Sequence, residues 1–361
     1  MKRVTSEGDR GGAIFSQRLP AAIGEACQQA SLFLEAHGIG EPRNHAELLL
    51  MHTLGLGRAE LLRDSRDPFP AAAQADWERA VARKAAGEPS QYIIGEQWFY
   101  GRPFTVTPAV LIPRPETELL VEAVLEEADR LWPEAASAAD GERAHRGRAA
   151  GLPAGRDASA APAARAEPGP GFPGTVPTVV DVGTGSGAIG VTLAVQRPRW
   201  RVCASDLSPD ALAVARTNAA RHGAEARMAF VQGDLLAPFE RRREAEPDAP
   251  GPGGGPAGMR IDVLVSNPPY IPAEEIEGLQ PEVRDYEPRL ALDGGADGLA
   301  PYRRILAQLP QLAAMPRIVA FEVGLGQAEA VAAMLRGLGA WRGVRIIPDY
   351  AGIDRHVIAV Q

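Results

Sequence analysis

From residue 178 onward the sequence alternates between short, nearly continuous apolar runs and segments with helical spacing. The strand-like runs are TVVDVG, RVCASDL, MAFVQGD, IDVLVSNPPY and RIVAFEVG, and helix-like segments such as PDALAVARTNAARHG separate them. Strands that are apolar along their whole length are typical of a parallel sheet covered by helices on both faces. The pattern therefore predicts an α/β fold with a largely parallel, doubly wound sheet.

The stretch DVGTGSGAIG joins the first of these strands to its helix and places Gly183, Gly185 and Gly187 at the spacing G-x-G-x-G. Glycine allows a tight turn and a close approach of the backbone to a ligand. Open α/β sheets bind cofactors at the carboxyl ends of their strands. The spacing differs from the G-x-G-x-x-G of dinucleotide-binding loops, and the sequence has no G-K-[ST] of a P-loop. We predict that this loop, including Thr184 and Ser186, binds a cofactor; a purely structural turn is the alternative.

A carboxylate ends the second strand. Asp206 follows Gly187 by 19 residues, where an acidic side chain can accept both hydroxyls of a ribose. Capping of the helix that follows is the alternative role for this carboxylate. Because Ser208 or Asp210 can supply that cap, we predict that Asp206 is available for a ligand.

A second carboxylate, Asp234, ends the third strand, where an adenine amino group needs an acceptor. Leu235 beside it can cover the adenine face, although a solvated loop carboxylate is the alternative for Asp234. Sites for adenine and ribose next to a compact glycine loop without a phosphate-binding lysine indicate S-adenosylmethionine rather than ATP or NAD. Asp181, just before the loop, then either positions the loop by hydrogen bonds or reaches the methionine amine of that cofactor.

The stretch SNPPYIP ends the fourth strand with the two residues least able to continue a sheet. Asn267 supplies a side-chain carbonyl, and Pro268 supplies a main-chain carbonyl whose direction the following Pro269 restricts. Two fixed acceptors can hold both N–H bonds of one planar NH₂ group, and Tyr270 offers that group a flat face. We predict that these four residues are catalytic and bind the methyl acceptor; a turn without chemistry is the alternative.

A planar NH₂ group is the side-chain amide of glutamine or asparagine, or the exocyclic amine of adenine, cytosine or guanine. Its nitrogen is a poor nucleophile because the lone pair is shared with the π system. The two carbonyl dipoles can stabilise the positive charge that develops on nitrogen. Alignment with the methyl group can lower the barrier by up to ~7–11 kcal/mol. No strong base stands in this stretch, so we expect the proton to pass to water after transfer.

The rest of the chain predicts the domain organisation. Helical spacing precedes a segment of period two, WFYGRPFTVTPAVLIP, which indicates a hairpin. Two stretches rich in Ala, Gly, Pro and Arg hold almost no large apolar side chains, so they cannot offset their ordering entropy. The predicted parts are a flexible tail at 1–18, a helical domain at 19–89, a hairpin linker at 90–112, and a sheet domain at 113–361 with disordered inserts at 136–175 and 241–258.

Composition and charge limit the classes of function. The formal net charge of −8 disfavours non-specific binding to phosphate backbones, so we expect no direct nucleic-acid substrate. No run of 18 apolar residues and no secretion signal occur, so we expect no membrane partner. Cys27 and Cys203 are the two cysteines, which suits a reducing cytoplasm. The six histidines are scattered, so we expect no metal site.

Together these motifs resemble the release-factor glutamine N5-methyltransferases, the HemK/PrmC family. The resemblance runs from about Leu19 to the C-terminus, less the two inserts. It includes GEPSQYIIGEQWFYGRPFTVTPAVLIPRPETELL, DVGTGSGAIG, SNPPYIP, YEPRLALDGGADGL, FEVGLGQ and DYAGIDRHV. NPPY alone is shared with N6-adenine methyltransferases, whereas IPRPETE joined to it is more specific.

The resemblance implies a Rossmann-like class I methyltransferase fold with a seven-stranded, mostly parallel sheet. It implies S-adenosylmethionine as donor, S-adenosylhomocysteine as product, and the glutamine of the Gly-Gly-Gln loop of class 1 peptide chain release factors as acceptor. It also implies cofactor contacts at 183–187, Asp206 and Asn267, and docking of the release factor by the helical domain and hairpin. Leu235 is a departure, since some members have tryptophan there.

Two further residues have open roles. Arg114 contacts the main chain of the substrate or pairs with a carboxylate, and Phe99 lines the glutamine pocket or packs the hairpin. We assign Glu322 a structural role. The rival acceptors are a glutamine of a large-subunit ribosomal protein and a nucleic-acid amine. A cofactor-binding scaffold without catalysis is disfavoured by the intact Asn267 and glycine loop.

Overall fold

The computed structural model describes residues 20–133, 176–241 and 257–361. The predicted tail at 1–18, the predicted insert at 136–175 and residues 242–256 of the second predicted insert lie outside the described residues. No helix within the described ranges is long and apolar enough to cross a membrane.

Eleven α-helices and nine strands occur in the described ranges. The helices are α1 Ile23–Ala36, α2 Pro42–Leu54, α3 Arg58–Arg63, α4 Gln74–Ala85, α5 Ser90–Ile94, α6 Glu116–Leu131, α7 Ala188–Gln196, α8 Pro209–Arg221, α9 Pro281–Arg284, α10 Ala300–Gln308 and α11 Ala328–Gly337. The strands are β1 Glu96–Phe99, β2 Arg102–Thr105, β3 Thr178–Val182, β4 Arg201–Asp206, β5 Met228–Gln232, β6 Val263–Ser266, β7 Ile318–Glu322, β8 Gly343–Pro348 and β9 Asp354–Val360.

The chain forms two compact units, and the first is helical. It ends at Glu96 and also contains the later segment Leu279–Tyr286. Its apolar core is centred on the fully buried Trp77, since the apolar faces of α1, α2 and α4 meet there. Lys84 is also fully buried in this unit and is ion-paired with Glu282, as a buried ammonium group requires.

The hairpin is shorter than the predicted segment 90–112. β1 and β2 are joined by Tyr100 and Gly101, which both have positive φ angles (52° and 69°), as a tight two-residue hairpin turn needs. Residues 90–94 of the predicted linker are instead the helix α5, where Tyr92 and Ile93 are buried.

The second unit is built on a seven-stranded sheet with the order β5-β4-β3-β6-β7-β9-β8. The first five strands are parallel, and β9 runs antiparallel to both β7 and β8. The predicted Rossmann-like, mostly parallel seven-stranded sheet is therefore confirmed. Alternate residues of one strand enter two separate apolar cores, as Val179 and Val180 of β3 do, because helices cover both faces.

The strand order reverses direction at β3, which has β4 on one side and β6 on the other. A crevice opens at such a switch point, outside the carboxyl ends of the strands. Val182 and Ser266 are register partners at these ends, and the Ser266 hydroxyl donates to the Val182 carbonyl at 2.6 Å. The residues that follow β3 and β6 are thus brought side by side.

Candidate active site

A cavity of about 270 Å³ lies in this crevice. Most of the predicted site residues line it. They are Gly183, Thr184, Gly185, Ser186, Asp206, Asp234, Leu235, Asn267, Pro269 and Arg114. Residues from positions 109 to 304 of the chain therefore share one pocket.

The glycine loop has the backbone conformation that its sequence predicts. Gly183, Gly185 and Gly187 have φ angles of 70°, 55° and 82°, which disfavour any other residue. An added Cβ at Gly183 or Gly185 would meet nothing within 4 Å, so these two positions face open space. At Gly187 a Cβ would lie 3.2 Å from Ala215, so this glycine instead permits close packing against α8.

Asp181 lies beneath the loop and is fully buried. Its Oδ2 accepts hydrogen bonds from the Thr184 hydroxyl at 2.6 Å and from the Gly190 amide at 2.9 Å. Burial raises the pKa of this carboxyl to about 6 against those hydrogen bonds. Asp181 is not among the lining residues, and these contacts match the loop-positioning role of the two predicted for it.

Asp206 ends β4 beside the loop. Its Oδ2 accepts from the Gly185 amide at 2.9 Å, and its Oδ1 accepts from the Ser208 amide at 2.9 Å. The Ser208 hydroxyl caps α8 by accepting from Ala211, so Asp206 is spared that task. Desolvation raises the pKa of Asp206, while the backbone hydrogen bonds lower it.

Asp234 and Leu235 form the wall after β5. The Oδ2 of Asp234 accepts a hydrogen bond from Arg304, which also lines the cavity. Leu235 has a φ of 52°, a left-handed conformation that costs a non-glycine residue energy and that the surrounding wall must hold in place. Sequence reasoning did not anticipate Arg304, because α10 carries no motif that would single it out.

Residues 267–270 are divided between the cavity and the core. Asn267 is half-buried and lines the cavity with Pro269, whereas Pro268 is buried and is not among the lining residues. Tyr270 is also not among them, and its ring packs against the second apolar core of the sheet unit. Burial raises the pKa of Tyr270 to about 12, so its phenol is neutral.

The main chain of Tyr270 is held by residues that sequence reasoning did not assign. The Gln327 amide donates to the Tyr270 carbonyl at 2.8 Å and accepts from the Gly324 amide at 2.9 Å. An added Cβ would lie 2.8 Å from Tyr270 Cα at Gly294, and 2.3 Å from the Tyr270 oxygen at Gly298. The motifs LDGGADG and FEVGLGQ thus enclose the NPPY loop.

Thr117, from the first turn of α6, lines the cavity beside Asn267, and Glu322, at the end of β7, lies behind both. The Asn267 amide donates to the Thr117 hydroxyl at 3.4 Å, and that hydroxyl donates to Glu322 Oε2 at 2.6 Å. Burial raises the pKa of Glu322 to about 7, although Thr117, Arg355 and the Asn267 amide all lower it. A strongly shifted buried carboxyl beside a cavity is typical of functional sites. Only the sheet register brings this residue to Asn267.

Arg114 and Phe99 differ in placement. Arg114 lines the cavity and donates to the buried Glu287, so of its two predicted roles it has the pairing with a carboxylate. The other oxygen of Glu287 accepts from the Ile112 amide at 3.3 Å. Phe99 is 1% exposed and packs edge-on against Phe104 with ring centroids 5.9 Å apart. The structure therefore does not bring Phe99 to the cavity, because the ring is packed in the first apolar core of the sheet unit.

A sheet of this order, with a glycine-lined cavity at its switch point, defines a class I, S-adenosylmethionine-dependent methyltransferase. A family model described as a methyltransferase domain matches residues 179–245, and the model of the PrmC N-terminal domain matches residues 25–95.

Relatives extend the match to nearly the whole chain. The release factor glutamine methyltransferase of Moorella thermoacetica is 40% identical over 344 residues, which cover 95% of this chain and 98% of that protein. The proteins of the same name from Bacillus anthracis and Bacillus subtilis are 36% and 37% identical, over 93% and 94% of this chain and 98% and 97% of their own lengths. The chain belongs to the release factor glutamine methyltransferase family.

Proposed function

We propose that the enzyme transfers a methyl group from S-adenosylmethionine to the side-chain amide nitrogen, N5, of the glutamine in the Gly-Gly-Gln motif of class 1 peptide chain release factors. The observation that carries this proposal is the position of Asn267. It follows the strand next to the glycine-loop strand and lines the same cavity as that loop. The relatives are named release factor glutamine methyltransferases, which supports a release factor glutamine as the acceptor.

The cavity fits the proposed cofactor. Gly183 and Gly185 leave open space above the loop, and Asp206 offers a carboxylate already oriented by two backbone amides. We propose that Asp206 accepts the ribose hydroxyls and that Leu235 covers the adenine. Asp234 uses Oδ2 for Arg304, so Oδ1 is the oxygen proposed to accept from the adenine amine. When bound, S-adenosylmethionine supplies an electrophilic methyl group, and S-adenosylhomocysteine leaves.

The chain's own residues would act on the acceptor amide. The two N–H groups of the acceptor amide donate hydrogen bonds to the Asn267 side-chain carbonyl and the Pro268 main-chain carbonyl. These hydrogen bonds orient the amide nitrogen toward the methyl group. Because both carbonyls are fixed before reaction, they stabilise the charge that grows on nitrogen. The Tyr270 phenol, with a pKa near 12, stays neutral and is unsuited to act as a base. We propose that the surplus proton leaves to water.

The helical unit and the hairpin would dock the release factor. The sequence of the first unit matches the family's N-terminal domain model, and Trp98 on the hairpin is 63% exposed. A large exposed aromatic side chain of this kind is typical of protein interfaces. A substrate taken from the translation apparatus would place the enzyme in the cytoplasm.

The test is methyl transfer from labelled S-adenosylmethionine to a purified class 1 release factor. A release factor with the loop glutamine changed to alanine, ribosomal protein, total RNA and total DNA serve as rival acceptors. We expect label only in the intact release factor, and a loss of about 100-fold or more in Asn267→Ala, as for removal of one preorganised polar group. An unfolding transition of Asn267→Ala at the wild-type urea concentration confirms that the variant is folded.

Two outcomes would overturn the proposal. Label in RNA or DNA, with none in the release factor, would make the enzyme a nucleic-acid amine methyltransferase. Label in ribosomal protein alone would leave glutamine as the acceptor residue and change the partner.

A further inference from the structure

Three side chains form a hydrogen-bonded chain that leads away from the cavity. Asn267, Thr117 and Glu322 come from three segments that are remote in sequence, and the links measure 3.4 Å and 2.6 Å. Thr117 is 4% exposed and Glu322 is 2% exposed, so the chain is closed to solvent at its far end. Its first link is long and its second is short, as a hydroxyl bonded to a carboxylate should be.

The chemistry of the three groups gives this chain a direction. An ionised carboxylate only accepts hydrogen bonds, and a threonine hydroxyl has one proton to donate. Because Thr117 donates that proton to Glu322, it offers only a lone pair to Asn267. The asparagine must then turn its NH₂ group toward Thr117, and its carbonyl oxygen points to the opposite side.

We propose that Thr117 and Glu322 are positioning residues that fix the rotation of the Asn267 amide, so that its carbonyl oxygen and not its NH₂ group faces the methyl acceptor. The inference rests on the proposed function, in which Asn267 accepts an N–H bond. If the Asn267 amide were rotated by half a turn, its NH₂ group would face the NH₂ group of the methyl acceptor. The Asn267 carbonyl would then be lost as one of the two hydrogen-bond acceptors. The Glu322 carboxylate thus determines which end of the Asn267 amide faces the substrate.

Two substitutions break the direction of the chain without changing its shape. Thr117→Val removes the hydroxyl, so the Asn267 NH₂ group loses its 3.4 Å acceptor and is held only by its direct interaction with Glu322. Glu322→Gln replaces an acceptor by a group that can donate to Thr117, which frees the Thr117 proton for Asn267 and favours the wrong rotation. Thr117→Ser keeps the hydroxyl and serves as the conservative rescue. Thr217→Val is the matched control, because Thr217 is exposed on α8 and its hydroxyl donates within that helix, to the Ala213 carbonyl at 3.0 Å.

The experiment compares kcat, KM for the release factor and the Kd of S-adenosylhomocysteine in the full-length variants. We expect Thr117→Val and Glu322→Gln to lower kcat by about 30-fold or more, below the effect of losing Asn267 itself. The Kd should stay within about twofold, and Thr117→Ser and Thr217→Val should keep wild-type kcat. A kcat within about threefold of wild type in both test variants overturns the proposal. So does a loss of cofactor affinity equal to the loss of kcat, which would make Thr117 a cofactor contact.

The pH profile separates positioning from packing. Glu322 is faced by Thr117 and Glu116 of α6, Asn267 and Tyr270 of the NPPY loop, the Tyr302 hydroxyl of α10, and Arg355 and His356 of β9. Wild-type kcat should increase as pH rises through about 7 and Glu322 ionises. Only the carboxylate accepts the Thr117 proton and so leaves the Thr117 oxygen as an acceptor for the Asn267 NH₂ group. The rise should vanish in Glu322→Gln, and its persistence there would contradict the assignment.

A measurement of hydrogen exchange at Asn267 tests the positioning role without any methyl acceptor. The Asn267 side-chain ¹⁵NH₂ signal, assigned by its loss in Asn267→Asp, should exchange slowly in the wild type and faster in Thr117→Val. Equal exchange overturns the inference even if release factor is the substrate. If the acceptor proves to be a different amine, the proposed function fails, and the same kinetic comparison with that amine decides the inference.

Discussion

The cavity has a cofactor half, formed around the glycine loop, and an acceptor half, formed around the NPPY loop, and different contacts hold each in place. The glycine loop is held mainly by residues close to it in sequence. Asp181 holds Thr184 and Gly190, which lie three and nine residues further along the chain. Asp206 reaches Gly185 over 21 residues, from the strand that pairs with β3. One strand–loop–helix unit and its neighbour thus contain nearly all the contacts that shape the cofactor half.

The NPPY loop is assembled from remote parts of the chain. Asn267 donates to Thr117 across 150 residues, and Tyr270 accepts from Gln327 across 57. Gly298 packs directly on the Tyr270 carbonyl. The acceptor half is therefore a tertiary construction, and damage far along the sequence should affect it while the cofactor half survives.

The largest expected effect comes from Gly298→Ala. An added Cβ would lie 2.3 Å from the Tyr270 oxygen, and the residue has a φ of 72°, so we expect about 4 kcal/mol or more of lost stability in unfolding measurements. Gly339→Ala is the control, since Gly339 has a φ of 63° and nothing within 4 Å of an added Cβ. It should lose only about 1–2 kcal/mol. Equal losses in the two variants would mean that the close contact with the NPPY loop carries no strain.

A second test concerns Glu322 and pH. Its native pKa of about 7 lies above its usual 4.5, so the protonated form is favoured by folding. Wild-type unfolding free energy should therefore fall by about 3 kcal/mol as pH rises from the unfolded to the native pKa, a slope that Glu322→Gln lacks. Urea titrations over that range measure the difference. Parallel curves for the two proteins would contradict it.

Gln327→Ala should have a smaller effect. It leaves the Gly324 amide and the Tyr270 carbonyl without their hydrogen bonds, at a cost of about 2 kcal/mol in stability. The kcat should fall, because the NPPY loop loses a support, while the Kd of S-adenosylhomocysteine should hold. Gln311→Ala is the matched control, since Gln311 is exposed and its amide makes a long, local hydrogen bond to the Ala307 carbonyl at 3.5 Å. A larger change in Kd than in kcat would show that the two halves are not separate.

The smallest expected effect is that of Thr184→Val in the cofactor half. The loss of the 2.6 Å hydrogen bond to Asp181 should cost about 1 kcal/mol, seen as a roughly fivefold weaker Kd for S-adenosylhomocysteine. Thr184→Ser should restore the affinity. Calorimetry provides the measurement, and an unchanged Kd would mean that the loop keeps its shape without this bond.

The two halves differ in how much of each is visible in local sequence patterns. The strands were predicted from their apolar runs, and the glycine loop from three glycines at fixed spacing, because both are local patterns. Asn267 was found because an amide before two prolines at a strand end is unusual by itself. Thr117, Gln327 and Arg304 were missed, since single polar residues in helical or loop sequence carry no sign of their partners. Glu322 was predicted to be structural, and only its contacts with Thr117 and Asn267 connect it to the site.

The sequence by itself determined the alternation of strands and helices, the loop after β3 and the polar group after β6. These depend on side-chain polarity, backbone freedom and chain direction, which are properties of neighbouring residues. Only the tertiary structure decided that Phe99 is core, that Asp234 meets Arg304, and that Thr117 lies between Asn267 and Glu322. Those outcomes depend on which strands pair and in what register, and hydrogen bonds across such distances form only once the sheet has brought their partners together.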